Sequence, residues 1–262
     1  MGTTFTREMH ECYCRWCKSR QGRAIDSCLE SLILSVMDIQ PGLRVLDIGC
    51  GAGNHLLLLS KMGLDVSGID ASPFMIEQAR SRLGHRCDLK TCEAEDLPFD
   101  DNEFDSVFLI NTLEFVEDPL DVLTEAGRVA SRQVFIGAFN SLSWSGITNK
   151  IKGLFENVMF RNARFFSIWD LKALVREAFG NVPIAWKCIL LYPEFLETTG
   201  FASENWFTLS TIPFGAFIGL GITMLYSVKA HTIPLKIKLE DISQSITQSR
   251  VGSSLCLFNW QT

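Results

Sequence analysis

A chain of 262 residues, 47% hydrophobic and 21% charged, is long enough to bury a complete core and too apolar to be disordered. Its net charge of -6 offers no basic footprint for nucleic acid. Nine cysteines, an odd number, follow a start that lacks the basic-then-apolar pattern of a secretory signal, so free thiols in a reducing cytoplasm are expected rather than a disulfide framework.

In chain order, the first feature is His10 to Cys17, HECYCRWC, with three cysteines and a histidine in eight residues. Thiolates so close together can hold zinc or an iron–sulfur cluster. Only Cys14 and Cys17 make a C-x-x-C, no second such pair exists, and incidental thiols between aromatic residues are the competing reading. Ala24 to Met37 has helical apolar spacing, Arg44 to Ile48 is a β-branched strand, and Asn54 to Met62 is a leucine-rich helix stopped at Gly63. Leu64 to Ile69 is a second strand, and Ser72-Pro73 opens a helix that ends near Gly84. Strands follow at Asp88 to Cys92, Ser106 to Ile110 and Gln133 to Ala138, with a helix at Pro119 to Val129. After an aromatic-rich stretch come a helix at Ile168 to Phe179 and strands at Ala185 to Tyr192 and Gly215 to Tyr226. The alternation predicts an α/β domain with a parallel sheet covered on both faces. Trp206 to Ser227 carries no charge and is long enough for a membrane helix, but Pro213 and glycines at 215, 219 and 221 favour a buried strand preceded by a loop.

The chemistry is concentrated in Val45-Leu46-Asp47-Ile48-Gly49-Cys50-Gly51-Ala52-Gly53, between the first strand and the next helix. Glycines there let the backbone turn tightly and approach a ligand at a helix N-terminus. The spacing is G-x-G-x-G, not the G-x-G-x-x-G of dinucleotide enzymes. Further on come Asp70 at the end of the second strand, Cys92-Glu93-Ala94-Glu95-Asp96-Leu97-Pro98-Phe99, and Phe104 to Pro119 with Asn111-Thr112-Leu113-Glu114-Phe115 after the fourth strand. Taken singly, Asp47 and Asp70 are equally readable as strand-end turn residues and the glycines as packing residues; the order and spacing of all four segments speak for one ligand site.

Those segments, in that order, resemble the class I methyltransferases that use S-adenosylmethionine, and within them the ubiquinone/menaquinone C-methyltransferase-like (methyltransferase type 11) group. Gly127 to Ile136, Phe139-Asn140 and Asn162 to Phe166 resemble methionine-biosynthesis protein W. The resemblance implies a Rossmann-like doubly wound, mostly parallel seven-stranded sheet with an antiparallel last strand, plus an N-terminal helix and a lid insert. It divides the chain into an aromatic lid and helix at 1–40, the methyltransferase domain at 41–227 with the insert at 141–167 and the apolar late strand region at 206–227, and an extension of unassigned role at 228–262. It implies S-adenosyl-L-methionine contacts at Tyr13, Asp47, Gly49, Cys50, Gly51, Gly53, Asp70, Ala71, Met75, Glu93, Ala94, Ile110 and Asn111. Asp70 would meet the ribose hydroxyls and Glu93 the adenine amino group.

The implied reaction is in-line transfer of a methyl group to a small-molecule acceptor without a metal, for which the protein mainly aligns the reactants. Many relatives carry a histidine where this chain has Phe115, which leaves Glu114 and Asn111 as catalytic candidates. A helix-capping or solvated carboxylate is the competing reading for Glu114. Trp144, Phe155, Phe160, Phe165 and Phe166, with Lys150, Lys152, Arg161 and Arg164, suit an apolar or aromatic acceptor bearing an anionic group, or else anchor the insert to the core. An accessory protein that binds the cofactor without turnover is the alternative. Neither a nucleic-acid partner nor an integral membrane span is expected, and peripheral membrane contact stays open.

Overall fold

The computed structural model describes residues 11–13, 15, 17, 19–143, 163–191 and 207–224. These belong to one unit, residues 1–225; the expected C-terminal extension lies outside the described residues, as do Cys14, Trp16, Trp144, Phe155 and Phe160 of the aromatic segments. The elements are α1 (Arg20–Val36), β1 (Arg44–Ile48), α2 (Asn54–Lys61), β2 (Asp65–Asp70), α3 (Pro73–Leu83), β3 (Asp88–Thr91), β4 (Phe104–Ile110), α4 (Pro119–Val129), β5 (Ala130–Phe139), α5 (Ile168–Phe179), β6 (Ile184–Leu191), β7 (Phe207–Ser210) and β8 (Phe217–Thr223). They form one sheet in the order β3-β2-β1-β4-β5-β8-β6-β7. From β3 to β5 all neighbours are parallel, β8 runs antiparallel to both β5 and β6, and β7 is antiparallel to β6.

This is the expected doubly wound architecture with one correction: the sheet has eight strands instead of seven. The extra edge strand, β7, comes from the start of the apolar segment that was expected to be a loop. Only four residues long and paired on one side, it is a short edge of the kind that resists further strand addition.

The central strands alternate between two cores because successive side chains leave a strand on opposite faces. Leu46, Ile48, Val107, Leu109, Val134 and Ile136 pack with α4 and α5, whereas Val45, Phe108, Ile110 and Phe135 pack with α1, α2 and α3. Local chemistry starts the helices where it should. The Ser19 hydroxyl accepts from the Gly22 amide at 3.1 Å, Asp118 accepts from Leu120 N at 2.8 Å ahead of Pro119, and Ser167 and Asp170 form a reciprocal capping box.

The glycines of the late apolar segment find their reason at α1. A Cβ on Gly219 would come within 2.7 Å of the Leu32 side chain, and one on Gly221 would run into the Val36 carbonyl oxygen. The glycines therefore let α1 lie directly on β8, which is fully buried from Phe217 to Ile222. Among the described residues no helix is long and apolar enough to cross a membrane.

This contact predicts an ordered pair of substitutions. Gly221→Ala meets unyielding backbone and should cost at least as much as overpacking usually does, about 1–3 kcal/mol. Gly219→Ala meets only the end of a leucine and should cost less. Thermal unfolding of both variants checks the order.

Candidate active site

The carboxyl ends of β1, β2 and β4 meet at a solvent-open cleft of about 950 Å³, the open solvent at its mouth included. Its floor is the turn after β1. Gly49, Gly51 and Gly53 all have positive φ, and a Cβ on Gly49 would press into Thr112 at 2.7 Å, so the loop takes its course only with glycine there. Thr112 Oγ1 donates to the Ile48 carbonyl at 2.6 Å, which ties the end of β4 to that of β1.

Asp70 is the clasp between loop and sheet. Its Oδ2 accepts from Gly51 N at 2.9 Å and its Oδ1 from Ser72 N at 2.8 Å, leaving lone pairs on both oxygens for a ligand. Burial pushes its carboxyl above the ordinary range, opposed by those two amides. Asp47 is buried at 0% exposure, and neither of its oxygens has a hydrogen-bond partner among the described residues. Burial first, and the charge of Asp70 second, hold it well above the usual carboxylate range. A buried acid with both acceptors unmet is costly, and a ligand donor or cation would relieve it.

Of the residues expected to hold the cofactor, Tyr13, Gly49, Cys50, Gly51, Asp70 and Ala71 line this cleft, as do Met75, Glu93, Ala94, Ile110 and Asn111. Asp47 and Gly53 do not line it; they lie beneath it, where Asp47 faces the charge of Asp70 and Gly53 N-caps α2 in the left-handed conformation. The cleft further includes Phe115, noted in the sequence for the missing histidine, and Asn54, His55, Cys92, Glu95, Thr112 and Val116, to which sequence reasoning gave no role. Adjacency to the glycine loop and to Asn111 was the signal available for most of them.

Asn111 stands at the end of β4 with φ of 56°, a left-handed conformation that asparagine tolerates best among residues with a side chain. Its backbone N–H donates to Gly137 O at 2.8 Å, its side chain bonds the Tyr13 hydroxyl, and its Oδ1 is buried without a partner among the described residues. The opposite wall, Glu93 to Glu95, leads into a segment clamped by Arg128. That guanidinium bonds both Glu125 oxygens at 2.8 and 2.7 Å, the Phe99 and Leu97 carbonyls at 2.8 and 3.0 Å, and Asp101 at 2.9 Å.

Glu114 does not line the cleft. It is 1% exposed, its Oε1 accepts from Phe139 N at 2.8 Å, and its Oε2 has no partner among the described residues. Sequence spacing offered it as a base; the turn after β4 points it inward, where it caps the end of β5. Its backbone carbonyl accepts from Arg164 N at 2.8 Å, which fixes the returning end of the insert. Phe166 is buried in the core, and the Phe165 ring lies 6.3 Å from that of Phe139. Lys150, Lys152 and Arg161 lie outside the described residues, and Arg164 is exposed. Among the described residues no three of His, Cys, Asp or Glu are grouped as a metal would require. Cys17 contacts the Tyr13 hydroxyl.

Comparison with known proteins matches the same region. The fold and the cleft define the class I methyltransferase architecture, and residues 46–136 match the family described as "Methyltransferase domain". Ubiquinone biosynthesis O-methyltransferase of Cereibacter sphaeroides is 42% identical over 86 residues, 32% of this chain and 35% of that protein. Demethylmenaquinone methyltransferase of Staphylococcus aureus is 35% identical over 102 residues, 37% of this chain and 42% of that one. The chain spans about a third of the length of the curated relatives it matches first, at 30%, 35% and 31%. Among solved structures, a possible histamine N-methyltransferase from Thermotoga maritima superimposes with a TM-score of 0.65 at 23% identity, covering 83% of this chain and 97% of that one. Magnesium protoporphyrin IX methyltransferase from Synechocystis, solved with S-adenosylhomocysteine, gives 0.56 at 18% identity over 82% and 95%. At these identities the structures establish the fold.

Burial raises Glu114 from the ordinary glutamate value to about 7. A folded-state pKa above the unfolded one means that stability is lost as pH rises through that window, at about 1.4 kcal/mol per pKa unit. Glu114→Gln keeps an acceptor for Phe139 N and removes the titration. The variant's melting temperature relative to the parent should therefore climb between pH 5 and pH 8, and a constant difference would contradict this reading.

Proposed function

We propose that this protein is an S-adenosylmethionine-dependent methyltransferase acting on a small-molecule acceptor. The observation that carries the proposal is the unpartnered Asp47 beneath a cleft whose charged lining is acidic: Asp70, Glu93 and Glu95 line it and no lysine or arginine does among the described residues. S-adenosylmethionine carries a sulfonium and an ammonium against one carboxylate, so its net positive charge suits that field. Asp70 would take the ribose hydroxyls, Glu93 and the Ala94 amide the adenine, the glycine loop and Asp47 the amino-acid portion, and Tyr13 would cover it. The cofactor supplies an activated methyl group when bound. The protein's own part is to align the acceptor, exclude water and offer acidic surroundings to the cation.

The acceptor side of the cleft favours an apolar compound. Ile110, Phe115 and Val116 form it beside Asn111, whose open Oδ1 can orient a donor on the acceptor. Phe115 stands where relatives place a basic histidine, and Glu114 is turned away, so an acceptor atom that is nucleophilic without a general base fits best. An anionic substituent on that acceptor is part of the proposal. The quinone-pathway relatives support the apolar, aromatic choice, and the free cysteines support a cytoplasmic setting. A second reading, an accessory protein that binds the cofactor without turnover, draws its support from that missing base and from the resemblance of the second half to methionine-biosynthesis protein W. The matched family segment ends at residue 136 and lends this latter resemblance nothing.

Incubation with methyl-labelled S-adenosylmethionine and a panel of thiols, quinols, phenols and carboxylic acids tests the proposal. Label should appear in at least one acceptor and be lost in Asp70→Asn. Tight cofactor binding with no labelled product across the panel favours the accessory reading. Tyr13→Ala should weaken S-adenosylhomocysteine binding about tenfold, in keeping with one lost aromatic contact. Joint replacement of Cys12, Cys14 and Cys17 by serine should leave it within about twofold; isothermal calorimetry reads both.

A further inference from the structure

One group in the cleft has no part in the scheme above. His55 lines the cavity from the first turn of α2, is 8% exposed, and makes no hydrogen bond to any described residue. It is the only described residue lining the cavity that can become cationic near neutral pH. The amides that open α2 have no partners inside their own helix, and the helix dipole adds positive potential there. An unpaired, buried imidazole beside a helix N-terminus in an otherwise acidic cleft makes one place suited to an anion.

We propose that His55 takes up a proton when the site fills and pairs with the carboxylate of the ligand's amino-acid portion. The proton comes from solvent and goes to a ring nitrogen; no covalent bond forms or breaks. This rests on the cofactor reading above and deepens it, since it assigns the one negative group of S-adenosylmethionine to a residue of this chain.

The surroundings fit a switch of this kind. Burial alone depresses His55 to about 4, so the ring is neutral until a partner charge reaches it. The other ionisable groups around the cleft are Tyr13, Cys50 of the glycine loop, Asp70 of β2, and Cys92, Glu93 and Glu95 after β3, with Asp47 of β1 below. None of them contributes to the shift of His55, whose cause is burial. Arg82 of α3 is already engaged by the Asn54 side chain and the Ala52 carbonyl, 3.3 Å away, on the outer side of the turn. A carboxylate entering next to the ring would be the first charge close enough to hold the proton.

Histidine NMR of the intact protein reads this directly, with His55 assigned by the signal lost in His55→Gln. Addition of S-adenosylhomocysteine, which keeps the amino acid but not the sulfonium, should move the His55 pKa up by two units or more. Methylthioadenosine, which lacks the amino acid, should leave it in place. His55→Gln should lower affinity for S-adenosylhomocysteine about tenfold or more and leave methylthioadenosine affinity unchanged. Binding of S-adenosylhomocysteine with no movement of the His55 pKa, or an equal loss of affinity for both ligands in His55→Gln, overturns the inference while the cofactor reading stands. Failure of either ligand to bind the folded protein overturns both.

Discussion

The structure is organised around two carboxylates at the ends of adjacent strands, Asp47 fully buried and Asp70 half-buried. Asp70 grips the Gly51 and Ser72 amides at once, so the glycine loop, β2 and the entry to α3 are held by one side chain. Asp47 sits next to it with both oxygens unmet among the described residues. Burial raises both carboxyls, the charge of Asp70 adds to the shift of Asp47, and such a cost suits a place where a cationic ligand can offset it. The parallel sheet supplies the place. Its strands end together, and the helices on both faces bury the central strands below the cleft.

The remaining architecture keeps that edge in position. Thr112 ties β4 to β1, Arg128 fastens the segment that leads away from Glu93, and Glu114 caps β5 from inside the turn after β4. At the far side, β8 accepts α1 because its glycines leave room, and α1 follows the segment that brings Tyr13 to the cleft. The β8 glycines thus seat the helix that follows the Tyr13 segment.

Much of this was legible in the sequence, for identifiable reasons. Strand period, proline at helix starts and glycine at helix ends give β1, α4 and α5 their boundaries almost to the residue, because these signals are local. The glycine loop and Asp70 were readable because a single ligand geometry demands their spacing. Three features were hidden. β7 reads as loop, since Phe207 to Ser210 is a short piece of a longer apolar run and only pairing with β6 makes it a strand. The inward turn of Glu114 comes three residues after the left-handed Asn111, and sequence spacing carries no sign of which way a loop carboxylate points. His55 lies in a leucine-rich helix and passes for a surface position until the cleft is seen beside it.

The central claim is that the orphaned acid beneath the glycine loop exists to receive a cationic amino-acid ligand. A crystal structure of the protein grown with S-adenosylhomocysteine tests it most directly. The account predicts ligand density in the cleft, the ribose on Asp70, and a donor from the ligand or an ordered water supplying Asp47. A folded protein with no density there, or with the ligand bound elsewhere and Asp47 still unpartnered, would contradict it.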